Sequence, residues 1–177
     1  MELHNILSSD LYDIVLVTET WLKDKYLNGE IVGSNSNYSV AARMDRSEKI
    51  GGGTLAIVKN KHSFLQIQLK NKYKNLELAC FDLIGEDNKI RFIVCYRPPS
   101  FDQEAKTMLK LTLECLEDLF EIDASVVLVG DWNFPDIDWA DVEDRFFLRI
   151  QMTIMTRIQV VRHCFWILYN VHCCISL

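Results

Sequence analysis

This sequence is short of positive charge: 19 Lys and Arg stand against 25 Asp and Glu, a formal net charge of −6 over 177 residues. That excludes the simplest nucleic-acid binder, a uniformly basic domain that holds phosphate by charge alone. Proline and glycine are scarce, at three and seven, while 49% of the residues are apolar. Both facts argue against disorder and allow a sizeable core. Six cysteines are too few for a disulfide scaffold in a chain of this length. The opening residues Met1, Glu2, Leu3, His4 and Asn5 offer no basic n-region and no long apolar run, so no secretory signal is expected. An intracellular, reducing location with free thiols follows as an expectation. No membrane span is expected either. The longest apolar stretch, Phe165, Trp166, Ile167, Leu168 and Tyr169, has Arg162 and His163 beside it and falls far short of about 20 residues.

One further absence divides the chain. All acidic residues lie at or before Asp144, and the remainder has no Asp, Glu or Lys but does have Arg145, Arg149, Arg157 and Arg162. Cys164, Cys173 and Cys174 also fall there. We therefore expect a coherent but partial domain over 1–144 and an anomalous tail over 145–177.

Within the first part, Leu3, Ile6 and Leu7 recur at helical spacing. Ile14, Val15, Leu16 and Val17 form a continuous run, the pattern of a strand buried on both faces. Gly51, Gly52 and Gly53 precede a second such run from Thr54 to Val58. Leu65, Ile67 and Leu69 alternate with glutamines, which predicts a half-exposed strand. Segments 76–84 and 90–96 flank Gly85, Glu86, Asp87 and Asn88, which predicts a hairpin with a four-residue loop. In its second arm Ile90, Phe92, Val94 and Tyr96 share a face. Pro98 and Pro99 end that arm. Leu109, Leu113, Leu116 and Phe120 then mark an amphipathic helix over about 102–121. A fully buried strand over 125–129 leads into Gly130 and Asp131. Hairpins in the middle with helix–strand units at both ends predict a mixed α/β (α+β) sandwich.

Three polar clusters sit where buried strands end. The first is Thr18, Glu19, Thr20, Trp21 and Leu22. A carboxylate there is costly to bury without a cation, so Glu19 reads either as a metal ligand or as a helix cap or ion-pair partner. The second is Gly130, Asp131, Trp132 and Asn133. Residues two apart on an extended segment share a side, so Asp131 and Asn133 can face one substrate; the alternative is an Asx-turn. The third is Cys95, Tyr96, Arg97, Pro98 and Pro99, where Tyr96 is either a core tyrosine with a wet hydroxyl or a phosphate contact.

The order ETWL, GGGTLAIV, a strand ending in YRPP, a helix, then VVLVGDWNFPDIDW resembles the endonuclease/exonuclease/phosphatase superfamily. Its fold is deoxyribonuclease-I-like, a four-layer α/β/β/α sandwich. The wording of the motifs most resembles the apurinic-type endonuclease domain of non-LTR retrotransposons. The resemblance covers about 10–140. It implies a metal-dependent phosphodiesterase that nicks one DNA strand to prime reverse transcription, with Mg²⁺ as cofactor, Mn²⁺ as its substitute and the DNA backbone as partner. Position by position it implies Glu19 as metal ligand, Asp131 as the residue that activates or positions water, and Tyr96 as the active-site tyrosine. Asn133 is implied as a phosphate contact, with Arg97 beside it on the substrate. Action on chromosomal DNA implies the nucleus. Non-catalytic nucleic-acid or partner binding, and phosphatase action within the same superfamily, are the alternatives.

The chain also departs from that pattern. The family's first strand, with its asparagine, is expected to be missing, and Asn5 lies on a helix instead. No histidine–carboxylate pair is available after Asp144, so the family's Ser-Asp-His segment is absent and little or no activity is expected. The tail reads as a frameshifted or misspliced version of the missing half, a reading that an uninterrupted genomic frame without such a segment would overturn. Other features have plainer readings. His163, Cys164, His172, Cys173 and Cys174 fit no standard zinc spacing. Lys59, Lys61, His62, Lys70, Lys72 and Lys74 form a basic stretch that meets either solvent or phosphate. Asp136 and Asp138 read as loop structure, and Trp21, Trp132 and Trp139 as core or rim packing.

Overall fold

The computed structural model describes residues 2–33, 37–46, 50–86 and 88–133, together with the backbone of 172–175. Helix α1 (Glu2–Ser8) precedes β1 (Ile14–Thr18), whose five residues are all buried, as their unbroken apolar run requires. A short α2 (Asn28–Val32), β2 (Tyr38–Met44), β3 (Thr54–Lys59) and β4 (Ser63–Gln66) follow. Then come β5 (Leu78–Ile84), β6 (Lys89–Tyr96), α3 (Gln103–Phe120) and β7 (Ser125–Asp131). Backbone pairing adds β8 (His172–Ile175) from the region past Asp144.

Two four-stranded sheets result, in the orders β2-β3-β1-β8 and β4-β5-β6-β7. The first is antiparallel throughout, with Thr18 opposite Thr54 at the site end of β1 and β3. In the second, β5 and β6 form the expected hairpin, and Ile84 opposes Lys89 across the four-residue loop. β6 and β7 run parallel, joined through α3 as a parallel pair demands. One apolar cluster takes Ile14, Leu16 and Ala56 from the first sheet and Phe81, Phe92 and Val94 from the second. The helices α1 and α2 pack on Val15, Val17 and Ile57, and α3 packs on Cys80, Ile93 and Val126.

Three sequence expectations need correction. The 65–69 alternation does not continue as strand: β4 ends at Gln66 and Leu65 stays 59% exposed. Ile67 and Leu69 instead pack beneath α3. The buried face of α3 is carried by Leu111, Cys115, Leu116, Leu119 and Phe120. Leu109 turns toward a cleft beside Tyr96, because the sheet under the helix is met along a line rotated from the leucine stripe. β7 buries only Val126 and Val129, since it is the outermost strand of its sheet among the described residues. Past Asp144, the backbone of His172–Ile175 pairs as β8 alongside β1.

One buried ion pair fastens the second sheet to α3. Arg91 Nε and Nη2 donate to both oxygens of Asp82, 2.7 and 2.9 Å away, and Nη1 donates to the Leu119 carbonyl at 3.0 Å. The last contact satisfies a carbonyl that the end of the helix leaves without an intrahelical partner. Asp82→Ala strands the Arg91 charge and is expected to cost about 3–5 kcal/mol. Urea unfolding measures this, and a loss under about 1 kcal/mol would mean that the pair is solvated.

Candidate active site

The ends of β1, β6 and β7, and the start of β3, meet at one end of the two sheets. Past β1 the backbone of Thr20 and Trp21 still bonds the carbonyls of Gly53 and Gly52. This forces Glu19 and Trp21 into left-handed conformations, with φ of 53° and 55°. A side-chain-bearing residue adopts that region at a cost of roughly 1–2 kcal/mol. The turn aims the Glu19 carboxylate inward. Its Oε2 accepts the Gly52 N–H at 2.6 Å and the Trp21 indole N–H at 2.8 Å, and the Tyr96 hydroxyl lies close enough to favour the charged form. Trp21 is therefore a rim residue, 62% exposed, whose indole N–H is spent on Glu19.

Glu19 is only modestly buried. Burial pushes its carboxyl upward, but the Tyr96, Gly52 and Trp21 donors and the Arg46 charge together outweigh that, and the group is held below its ordinary 4.5. The Tyr96 hydroxyl moves the other way. Burial, then the Glu19 carboxylate beside it, raises it well above its ordinary 10.0. The signs are opposite. Glu19's contribution to stability is present above about pH 4.5 and lost as acid protonates it, whereas that of Tyr96 is present below about pH 10 and lost as pH rises. Between about pH 6 and 9 neither group titrates. Divalent-metal binding through Glu19 is therefore expected to stay level across that interval in a Mn²⁺ titration, and a midpoint near 7 traced to either group would contradict it.

Tyr96 faces Asp131 directly: the two are register partners on the parallel strands β6 and β7, about 4.8 Å apart across the ladder. Asp131 Oδ1 accepts the Asn133 N–H at 3.1 Å, so the Asx-turn alternative is realised. Asn133 itself is left-handed, at φ 47°, a conformation asparagine tolerates. Its Nδ2 donates to the Arg97 carbonyl at 2.7 Å. In return, Arg97 Nη1 donates to the carbonyls of Trp132 and Asn133, and Nη2 to that of Ser100. Arg97 is 9% exposed, and burial lowers its pKa. It clamps the loop after β6 to the loop after β7.

The structure thus brings Glu19, Tyr96 and Asp131 together and sets Asn133 and Arg97 beside them. Sequence reading missed Arg46 and Glu77, which pair with one another next to Tyr96. It also missed why Gly52 is glycine. With φ at +71°, an added Cβ there would sit 2.2 Å from Glu77 Oε2 and 2.8 Å from Arg46. The run of three glycines was the visible signal. A cleft of about 350 Å³ opens alongside, lined by Arg46, Glu77, Tyr96, Leu109 and Trp132 among others. The basic stretch is largely neutralised. Lys61 pairs with Asp13 at 2.7 Å and Lys70 with Asp118 at 2.7 Å, and Lys59 lies 3.3 Å from Asp10. Asp136, Asp138, Trp139 and the side chains of the tail histidines and cysteines lie outside the described residues.

Among the described residues, no three His, Cys, Asp or Glu side chains gather into a metal-holding group. The donor chemistry nevertheless suits Mg²⁺, which takes oxygen ligands, usually one or two carboxylates completed by phosphate oxygens and water. Glu19 is held ionised, and Asp131 is the register partner of Tyr96. No helix among the described residues is long and apolar enough to cross a membrane.

No family model and no curated protein matches this chain. Solved structures do. The chain is similar to the endonuclease domain of TRAS1, a telomere-specific non-LTR retrotransposon, with a TM-score of 0.55 and 12% identity. That likeness covers 99% of this chain and 78% of the other. It is also similar to the 3′ phosphatase NExo from Neisseria, solved with a product DNA hairpin, with a TM-score of 0.56 and 13% identity. Here 88% of this chain and 64% of that one are covered. At this identity the two likenesses show the fold: the mixed α/β, two-sheet, deoxyribonuclease-I-like fold that the motifs predict.

Proposed function

We propose that this chain, on its deoxyribonuclease-I-like fold, is a metal-dependent phosphodiesterase that nicks DNA, slow in its present form, with its layers arranged as an α/β/β/α sandwich. The observation that carries the reading is the meeting of Glu19, held by the Gly52 and Trp21 N–H groups, with Tyr96. It ties the end of β1 to the end of β6, whose register partner on β7 is Asp131. Glu19 would hold Mg²⁺, or Mn²⁺ in its place, with water and phosphate oxygens completing its shell, and the ion would polarise a phosphoryl oxygen and offset the charge of the leaving alkoxide.

The rest is done by the chain's own groups. The bond from Asn133 to Asp131 Oδ1 fixes the rotation of that carboxylate, leaving Oδ2 to aim a water in line with the scissile bond. Tyr96 stays protonated at neutral pH and acts as a donor, keeping Glu19 oriented while it borders the phosphate. Asn133 spends one amide proton on Arg97 and offers the other to a phosphate oxygen. Arg97 acts through position, locking the two loops on which Tyr96 and Asp131 stand. Residues 145–177 hold no histidine–carboxylate pair, and a cooperating set without one loses orders of magnitude in rate. A chain acting on chromosomal DNA would work in the nucleus.

The likeness to a 3′ phosphatase supports a second reading, release of phosphate from a DNA 3′ end. Both substrates should be offered in Mg²⁺: supercoiled plasmid, and a hairpin oligonucleotide ending in a 3′ phosphate. The phosphodiesterase reading expects nicked circles and intact 3′ phosphate. Phosphate release without nicking would replace it with the second.

A further inference from the structure

Glu77 and Arg46 belong to none of the motifs, yet they stand directly behind the Glu19–Tyr96 pair. Glu77, with 8% of its side chain exposed, forms an ion pair with Arg46 through Oε1. Through Oε2 it accepts the Gly53 N–H at 2.6 Å. The preceding N–H, that of Gly52, goes to Glu19. The glycine turn is thus suspended between two carboxylates, one outside the proposed metal site and one within it. From the other side, the Glu77 carbonyl accepts the Tyr96 N–H at 2.9 Å. The Arg46 guanidinium lies 5.9 Å from the centre of the Tyr96 ring, within cation–π range.

The geometry points to Arg46 and Glu77 as a positioning pair for metal binding. Glu77 holds the glycine turn that presents the Gly52 N–H to Glu19, and Arg46, paired with Glu77, braces the Tyr96 ring beside that carboxylate. The inference rests on the metal reading above. Partners that orient a metal ligand commonly contribute about 10- to 100-fold in affinity.

The sign of one variant separates positioning from plain charge. Arg46 is a cation near the proposed ion site, so if it acted only through space, removing it would tighten metal binding. If it positions Tyr96 and Glu77, removing it weakens binding. The test is Mn²⁺ affinity of the full chain by water-proton relaxation, for wild type, Glu19→Gln, Glu77→Gln, Arg46→Gln and the double variant of Glu77 and Arg46. Near-UV circular dichroism establishes folding. Glu77→Gln and Arg46→Gln are each expected to weaken Mn²⁺ binding about 10-fold or more. The double variant should be no worse than the poorer single one, because the two act as a unit. Arg46→Lys keeps the charge and the cation–π contact but loses the planar fork. It is the variant most certain to fold, and it is expected to bind several-fold more weakly. Unchanged or tighter binding in the folded Arg46 variants overturns the inference. Absence of any Glu19-dependent Mn²⁺ binding in wild type overturns the metal site itself, which is a distinguishable failure.

Discussion

Replacing Glu19 by Gln is expected to raise the Kd for Mn²⁺ about 100-fold and to cut plasmid nicking by about 1000-fold, the scale on which a member of a cooperating catalytic set matters. The substitution keeps volume and reach, so the loss is electronic. Glu19 Oε2 accepts from both Gly52 and Trp21, with Tyr96 beside the same carboxylate. A glutamine offers one acceptor oxygen to that ring of donors and turns an N–H₂ group toward one of them. It also removes the negative charge that an ion would meet. Isothermal titration with Mn²⁺ and a nicking time course read the two effects. A change in Kd below about threefold would show that Glu19 is a loop residue held by donors for structure alone.

Gly130→Ala is expected to damage both fold and site. A Cβ at residue 130 would lie 2.1 Å from the Cys95 carbonyl oxygen, 3.0 Å from its carbon and 3.3 Å from its Cα. These are backbone atoms of the adjacent strand, and they cannot swing aside. Relief requires β6 and β7 to separate at Cys95 and Gly130, immediately beside the Tyr96–Asp131 pair. Overpacking of this kind costs about 1–3 kcal/mol. A shift near 1 Å between reacting groups costs about 100-fold in rate. Urea unfolding and nicking, measured side by side, should both fall. Wild-type values in both would mean that the strands part without disturbing the site.

Much of the domain can be read from side-chain pattern because its strands are buried on two faces and bounded by glycine or proline. The run from Ile14 to Val17, the run after Gly53, and the hairpin about Gly85 to Asn88 all emerge where the pattern puts them. The hairpin's loop length even fixes the opposition of Asp82 and Arg91, although nothing local says that α3 will bury that pair. The burial of α3 was less legible. Cys115 packs against the sheet as fully as Leu116, while Leu109 turns to the cleft.

At the site, motif and strand end together place Glu19, Tyr96 and Asp131. What pattern reading could not supply is the long-range pairing of Arg46 with Glu77, 31 residues apart in the chain. Nor could it show that Arg97 turns back onto three loop carbonyls, or that Trp21 spends its indole proton on Glu19. Each depends on which loops the two sheets bring face to face. β8 was illegible for a different reason: its sequence carries no alternation, and only its pairing with β1 marks it as strand.

The most direct test of a metal-dependent phosphodiesterase is single-turnover nicking of supercoiled plasmid, with the folded full chain in excess, in Mg²⁺ and in EDTA, beside Glu19→Gln and Asp131→Asn. The expected result is slow conversion to nicked circles that needs the ion and disappears in both variants. Nicking that persists in EDTA or survives both substitutions would contradict the assignment. So would a folded wild-type chain that leaves the plasmid untouched, which would mark it as a domain that binds without cutting.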